Sequence, residues 1–140
     1  MITGIGGSLG AVIEATSLDE TLGDLFSAGG AGTSVVVSLL FAWVIAALLH
    51  FAIGSVSVAG IAAAGILAPI AGSLAVDPVV LGLAIGSGAL FAVQVNSNFF
   101  WMFKGLLGLS TKGALKTLTV VTSIASVLSL PLVIAASGVL

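Results

Sequence analysis

The sequence predicts an all-α membrane protein in which transmembrane helices frame a re-entrant helical hairpin and a broken helix. Three observations lead there. Hydrophobic residues make up 59% of the 140-residue chain and charged residues 6%, with a mean hydropathy of +1.38, leaving too little polar surface to cover a water-soluble globule. The stretch Leu25–Val76 contains no charged residue and would measure about 78 Å as one helix, against a hydrocarbon core of ~30 Å, so it must fold back. Finally, the polar run Gln94-Val95-Asn96-Ser97-Asn98 lies between two uncharged apolar segments, Pro78–Val93 and Phe99–Phe103.

Residues 1–13 read as the end of a transmembrane helix, about 20 Å long and interrupted by glycine. The spacing of Gly4, Gly6, Gly7 and Gly10 fails the GxGxxG pattern at Leu9, and no strand precedes it, which excludes a nucleotide loop. Residues 14–32 form an acidic interfacial segment carrying Glu14, Asp19, Glu20 and Asp24. Ser17 and Glu20 fit a capping box, and Leu18, Leu22, Leu25 and Phe26 share one helical face. A solvated acidic loop is the alternative, and no metal site is expected from these carboxylates.

Residues 33–76 are expected to form a helical hairpin with its tip near 54–57, at Gly54-Ser55-Val56-Ser57. Two full spans and a re-entrant hairpin both satisfy the length. A turn of small polar residues without charge favours re-entry, because non-helical backbone at membrane depth is tolerated only against protein or a wet cavity. Asp77-Pro78 then starts a helix, as N-cap and first helical residue. This helix occupies 78–105 and is broken at 94–98, with Gly82, Gly86 and Gly88 offering a small-residue face. A loop at 106–115 leads into the last transmembrane helix, 116–140, on which Thr119, Thr122, Ser126 and Ser129 form a polar stripe suited to helix packing.

All three lysines, Lys104, Lys112 and Lys116, bracket one connection. The positive-inside rule places it in the cytoplasm, with the acidic segment 14–32 outside. A net charge of −2 without one arginine excludes nucleic acid as a partner, and the absence of cysteine excludes disulfides and thiolate metal sites.

Amide and hydroxyl groups inside an apolar chain each cost roughly 1–3 kcal/mol unless partnered. Ser55 and Ser57 at the hairpin tip, with Gln94, Asn96, Ser97 and Asn98 at the helix break, are therefore the candidate ligand-binding residues. The competing account is that they only cap broken helix ends. Histidine is the side chain that exchanges protons near neutral pH, and His50, the chain's one histidine, is the candidate for proton coupling.

The order Gly54-Ser55-x-Ser57-Val58-Ala59, a proline-bearing helix, Val95-Asn96 with Phe100-Trp101, Gly108-Leu109-Ser110, and Leu115-Lys116-Thr117-x-Thr119-Val120 resembles the C-terminal part of the gluconate permease family of proton-coupled organic-anion symporters. The similarity extends over nearly the whole chain. It implies one inverted-repeat half of a secondary transporter in the inner (plasma) membrane, with a gluconate-like sugar acid or hydroxy acid held between hairpin tip and broken helix. It also implies a partner, either a missing N-terminal half or a second copy in a homodimer, and no cofactor. The chain departs from the family at the break. The usual His-Val-Asn-Asp-Ser-Gly-Phe-Trp is here Gln94-Val95-Asn96-Ser97-Asn98-Phe99-Phe100-Trp101, an arginine and a glutamine near the tip are His50 and Ile53, and a glutamate in the last span is Thr122. An oligomeric membrane pore or scaffold, or an inactive transporter fragment, are the alternatives. A membrane-embedded hydrolase lacks a general base that the sequence can place beside Ser55 or Ser57.

Overall fold

The computed structural model describes residue 24 and residues 34–74 and 76–138. The expected helix end at 1–13 and nearly all of the acidic segment 14–32 lie outside the described residues. The described residues contain helices and no strand.

Helix α1, Val35–Ile53, is 19 residues long, about 28 Å, enough to cross a bilayer. It ends at Gly54, whose φ of 75° is the left-handed conformation that glycine adopts without strain; the Gly54 N–H bonds the His50 carbonyl at 2.8 Å. Ser55 then caps α2, Val56–Leu67, with its hydroxyl accepting from the Val58 N–H at 3.5 Å. The turn is thus tighter than four residues. Helix α2 has 12 residues, about 18 Å, and stops before Pro69, which cannot continue it. A 3₁₀ turn at Ala71–Ser73 leads to α3, Pro78–Ala89. There the Asp77 carboxylate accepts from the Val79 N–H at 2.8 Å, and Pro78 occupies the first turn, where its missing N–H costs nothing.

Helix α3 is also only 12 residues long. The interruption after it is wider than the polar residues indicate, because α3 ends at Ala89 and α4 begins at Asn98 and runs to Leu106. A short turn follows, and α5 spans Thr111–Ala136, 26 residues. Ser110 caps it by accepting from the Gly113 N–H at 3.0 Å, so Lys112 and Lys116 lie on the helix and the connection is shorter than 106–115. Residues Leu115–Thr119 of α5 form a π-helical turn. Among the described residues, two helices, α1 and α5, are long and apolar enough to cross a membrane.

Helix α1 packs against α2 and α3, and α3 packs in turn against α2 and α5. The core is built from small and aliphatic side chains, among them Leu39, Ala42 and Ala46 of α1, Ala59, Ala63 and Leu67 of α2, and Val80, Ala84 and Ala89 of α3. Small residues let helices approach closely where no hydrophobic effect drives them together. At Gly88 a Cβ would overlap the Trp43 backbone carbonyl, so glycine is required at the crossing of α1 and α3. A second cluster, Val93, Phe100, Ala114 and Leu118, joins the interruption and the start of α4 to the foot of α5. Large aliphatic residues such as Leu48, Val79, Val121, Leu128 and Leu132 point outward, as a lipid-facing surface requires.

The polar stripe of α5 does pack helices. Ser87 of α3 donates to the Ser126 carbonyl at 3.0 Å, Ser126 donates to the Ser87 carbonyl at 2.6 Å, and the Ser129 hydroxyl lies 2.6 Å from that of Ser87. The Trp43 indole N–H completes the set, donating to the Ser126 hydroxyl at 3.1 Å.

Candidate ligand site between two helix starts

The interruption between α3 and α4 exposes backbone groups that a helix would have paired, and side chains from distant elements take them up. The Phe91 carbonyl lies 2.8 Å from His50 Nδ1. Thr119 donates to the Val93 carbonyl at 2.6 Å, and the Val93 N–H donates to the Thr122 hydroxyl at 3.2 Å. The Trp101 indole N–H donates to the Val95 carbonyl at 2.7 Å, and the Ser97 N–H to the Gln94 carbonyl at 2.9 Å. Irregular backbone persists inside an apolar fold only when satisfied in this way. Ala92 carries the remaining distortion, with a φ of 53° that is uncommon for a residue with a side chain.

The interruption meets the hairpin tip directly. A Cβ on Gly54 would overlap the Asn96 backbone carbonyl, and the Asn96 side-chain amide donates to the Phe51 carbonyl at 2.7 Å. That carbonyl is among the last of α1, which have no intrahelical partner. Asn96 therefore does cap a broken helix end, and it spends one amide hydrogen in doing so.

Between tip and interruption lies a cavity of about 600 Å³, lined by Ile53–Ser57, Leu90, Val93, Asn96, Ser97, Asn98, Phe99 and Thr122. Five of the six residues singled out from sequence, Ser55, Ser57, Asn96, Ser97 and Asn98, are brought together around it. Gln94 does not line it. Among the described residues, no charged side chain does either. The starts of α2 and α4 both open onto this space, and the first N–H groups of a helix lack intrahelical acceptors and carry partial positive charge. Ser97 is 3% exposed and makes no capping bond to α4, which leaves its hydroxyl available on the cavity wall. Such a set of N–H, amide and hydroxyl groups can hold a carboxylate and neighbouring hydroxyls without a cationic side chain.

Residues 1–139 match the family model described as GntP family permease. The chain belongs to this family. Among its relatives, the Gnt-II system L-idonate transporter of Escherichia coli (strain K12) is 37% identical over 94% of this chain and 30% of its own length. The gluconate permease of Bacillus subtilis (strain 168) is 35% identical over 93% of this chain and 28% of its own length. The D-serine transporter DsdX of E. coli (strain K12) is 34% identical, again over 93% of this chain and 28% of its own length. The chain thus spans less than a third of the length of these curated relatives. They are permeases and transporters rather than enzymes, and the family is one of integral membrane proteins. No solved structure matches the chain.

His50 stands apart from the cavity lining. It is 1% exposed, and its Nε2 has no hydrogen-bond partner among the described residues. The Phe91 carbonyl can only accept, so Nδ1 carries a proton and donates to it. Thr119 and Thr122 were legible as a packing stripe but not as ligands of the interruption; their i, i+3 spacing was the available signal. Lys104 lies over the Trp101 ring, 5.2 Å from its centroid, a cation–π contact.

Proposed function

We propose that this chain is part of a secondary transporter that moves gluconate-like hydroxy-carboxylates across the inner (plasma) membrane by proton symport. The observation that carries the proposal is the cavity of about 600 Å³ onto which two helix starts open, with no charged side chain among the described residues that line it. The substrate carboxylate lies between the N-termini of α2 and α4, whose dipoles supply the positive potential. Ser55, Ser57, Asn96, Ser97 and Asn98 donate to the carboxylate and to the hydroxyls beside it. Gluconate and L-idonate are six-carbon polyhydroxy acids and D-serine is a short hydroxy amino acid, so the group common to the relatives' named substrates is a carboxylate with a nearby hydroxyl.

The lengths of α2 and α3, about 18 Å each against a ~30 Å hydrocarbon core, support a re-entrant hairpin and a half-length helix that meet inside the membrane. In this arrangement the connection between α4 and α5, flanked by Lys104 on α4 and by Lys112 and Lys116 on α5, faces the cytoplasm and the acidic segment 14–32 faces outward. An inverted partner, either the remaining segment that relatives carry or a second copy, closes the other side of the site.

His50 is the coupling residue in this scheme. A proton taken up at the buried Nε2 adds a donor between α1 and the interruption, and an arrangement in which Nε2–H reaches an acceptor accommodates it. Uptake of labelled gluconate into proteoliposomes carrying this chain tests the proposal. Saturable uptake accelerated by an inward proton gradient is expected once the inverted partner is present; an assembly of chain and partner that is folded but admits no gluconate, or leaks it without saturation, refutes it.

A further inference from the structure

The interruption is attached to the hairpin and to α5 in different ways. Toward the hairpin it makes two side-chain hydrogen bonds, from Asn96 to the Phe51 carbonyl and from His50 to the Phe91 carbonyl. Toward α5 it is held at one residue through both of its backbone polar groups. The Val93 N–H donates to the Thr122 hydroxyl, which passes its own hydrogen to the Thr119 carbonyl at 3.2 Å, while the Thr119 hydroxyl donates to the Val93 carbonyl. Each hydroxyl has one hydrogen, and each is used once, so the ring of bonds closes.

Three further features converge on this clip. Ala92, the residue before Val93, holds the positive φ, a conformation that persists only where its neighbours over-determine it. The π-helical turn Leu115–Thr119 ends at the first of the two threonines, and such a turn shifts the angular position of every residue after it; π-bulges concentrate at functional sites for this reason. Val93 and Phe100, at either end of the polar stretch, are buried with Ala114 and Leu118 of α5. Thr122 also lines the cavity itself.

We propose that Thr119 and Thr122 are positioning residues that fix the substrate-facing interruption to the last helix, so that the wall formed by Ser97 and Asn98 moves with α5 and separates from the hairpin tip at the Gly54–Asn96 contact. The proposal rests on the transport function proposed above and adds to it which side of the site is rigid.

The chain contains no cysteine, so a single introduced thiol reports local access. Ser97→Cys on the cavity wall and, as a separate control, Ala46→Cys in the core of α1, where Ala46 is 0% exposed, are labelled with a small thiol reagent in lipid nanodiscs. Adding Thr122→Val is expected to accelerate labelling at position 97 about tenfold or more and leave position 46 unchanged, whereas Thr122→Ser, which keeps the hydroxyl, restores the original rate. In the same preparations without the introduced cysteine, Thr122→Val should weaken equilibrium gluconate binding about fivefold. Equal labelling of position 97 with and without Thr122→Val overturns the proposal, and so does equal acceleration at both positions, because the hydroxyls would then hold the whole fold. Labelling decides on the clip independently of gluconate; failure of the unsubstituted chain to bind gluconate instead removes the proposed function.

Discussion

Gly54→Ala is the substitution whose effect follows most directly from the geometry. Gly54 has a φ of 75°, and its missing Cβ leaves the space taken by the Asn96 backbone carbonyl. An L-residue in the left-handed region costs roughly 1–2 kcal/mol. Relief of the overlap requires the tip to withdraw from the interruption, which breaks the 2.7 Å bond from Asn96 to the Phe51 carbonyl and removes a further ~1 kcal/mol. The expected loss is therefore about 2–3 kcal/mol. Unfolding of the purified chain in mild micelles by added denaturing detergent, followed by the fluorescence of Trp43 and Trp101, measures it. Trp101 is informative because its indole N–H bonds the Val95 carbonyl within the interruption. Gly105→Ala is the matched control: it makes the same chemical change in α4 with nothing within 4 Å of the added carbon, and should be neutral or stabilise by up to ~1 kcal/mol. A Gly54→Ala chain within about 0.5 kcal/mol of the unsubstituted protein would refute the close contact between tip and interruption.

Ser126→Ala removes the acceptor of the Trp43 indole and the donor to the Ser87 carbonyl; a loss of about 1–3 kcal/mol is expected with a shift in Trp43 emission, and an unchanged unfolding midpoint would contradict it. His50→Gln can still donate to the Phe91 carbonyl but cannot take up a proton, so it should abolish the response of uptake to a pH gradient while leaving gluconate binding within about threefold. A retained response would exclude His50 as the coupling residue. Asn96→Ala should weaken gluconate binding tenfold or more, whereas Gln94→Ala, outside the cavity lining, should change it less than about twofold; equilibrium binding in nanodiscs distinguishes them.

Local chemistry made much of this architecture visible in the sequence. Charge-free length forces the chain to fold back, Asp77-Pro78 can do little but start a helix, and Gly54-Ser55 combines a left-handed terminator with an N-cap. The polar run 94–98 marked the break, but only its downstream end. The interruption begins at Leu90, and Leu90-Phe91-Ala92-Val93 is as apolar as the helix before it, so no periodicity or composition separates the two. What unwinds that stretch is tertiary: His50 lies 41 positions from Phe91, and Thr119 and Thr122 lie 26 and 29 from Val93. Gln94 drew notice by the same polarity as Asn96, yet it does not line the cavity. The start of α5 at Thr111 was hidden by Ser110, Lys112 and Gly113, which read as a polar loop although Ser110 serves as a cap.

The central claim is that a cavity walled by two helix starts binds a small hydroxy-carboxylate, and equilibrium binding of labelled gluconate to the purified chain in nanodiscs tests it most directly. The account expects saturable binding, competition by L-idonate, no competition by a neutral sugar alcohol of the same length, and a loss of tenfold or more on Ser55→Ala or Asn96→Ala. Absence of saturable binding, or binding that both substitutions leave intact, would contradict it.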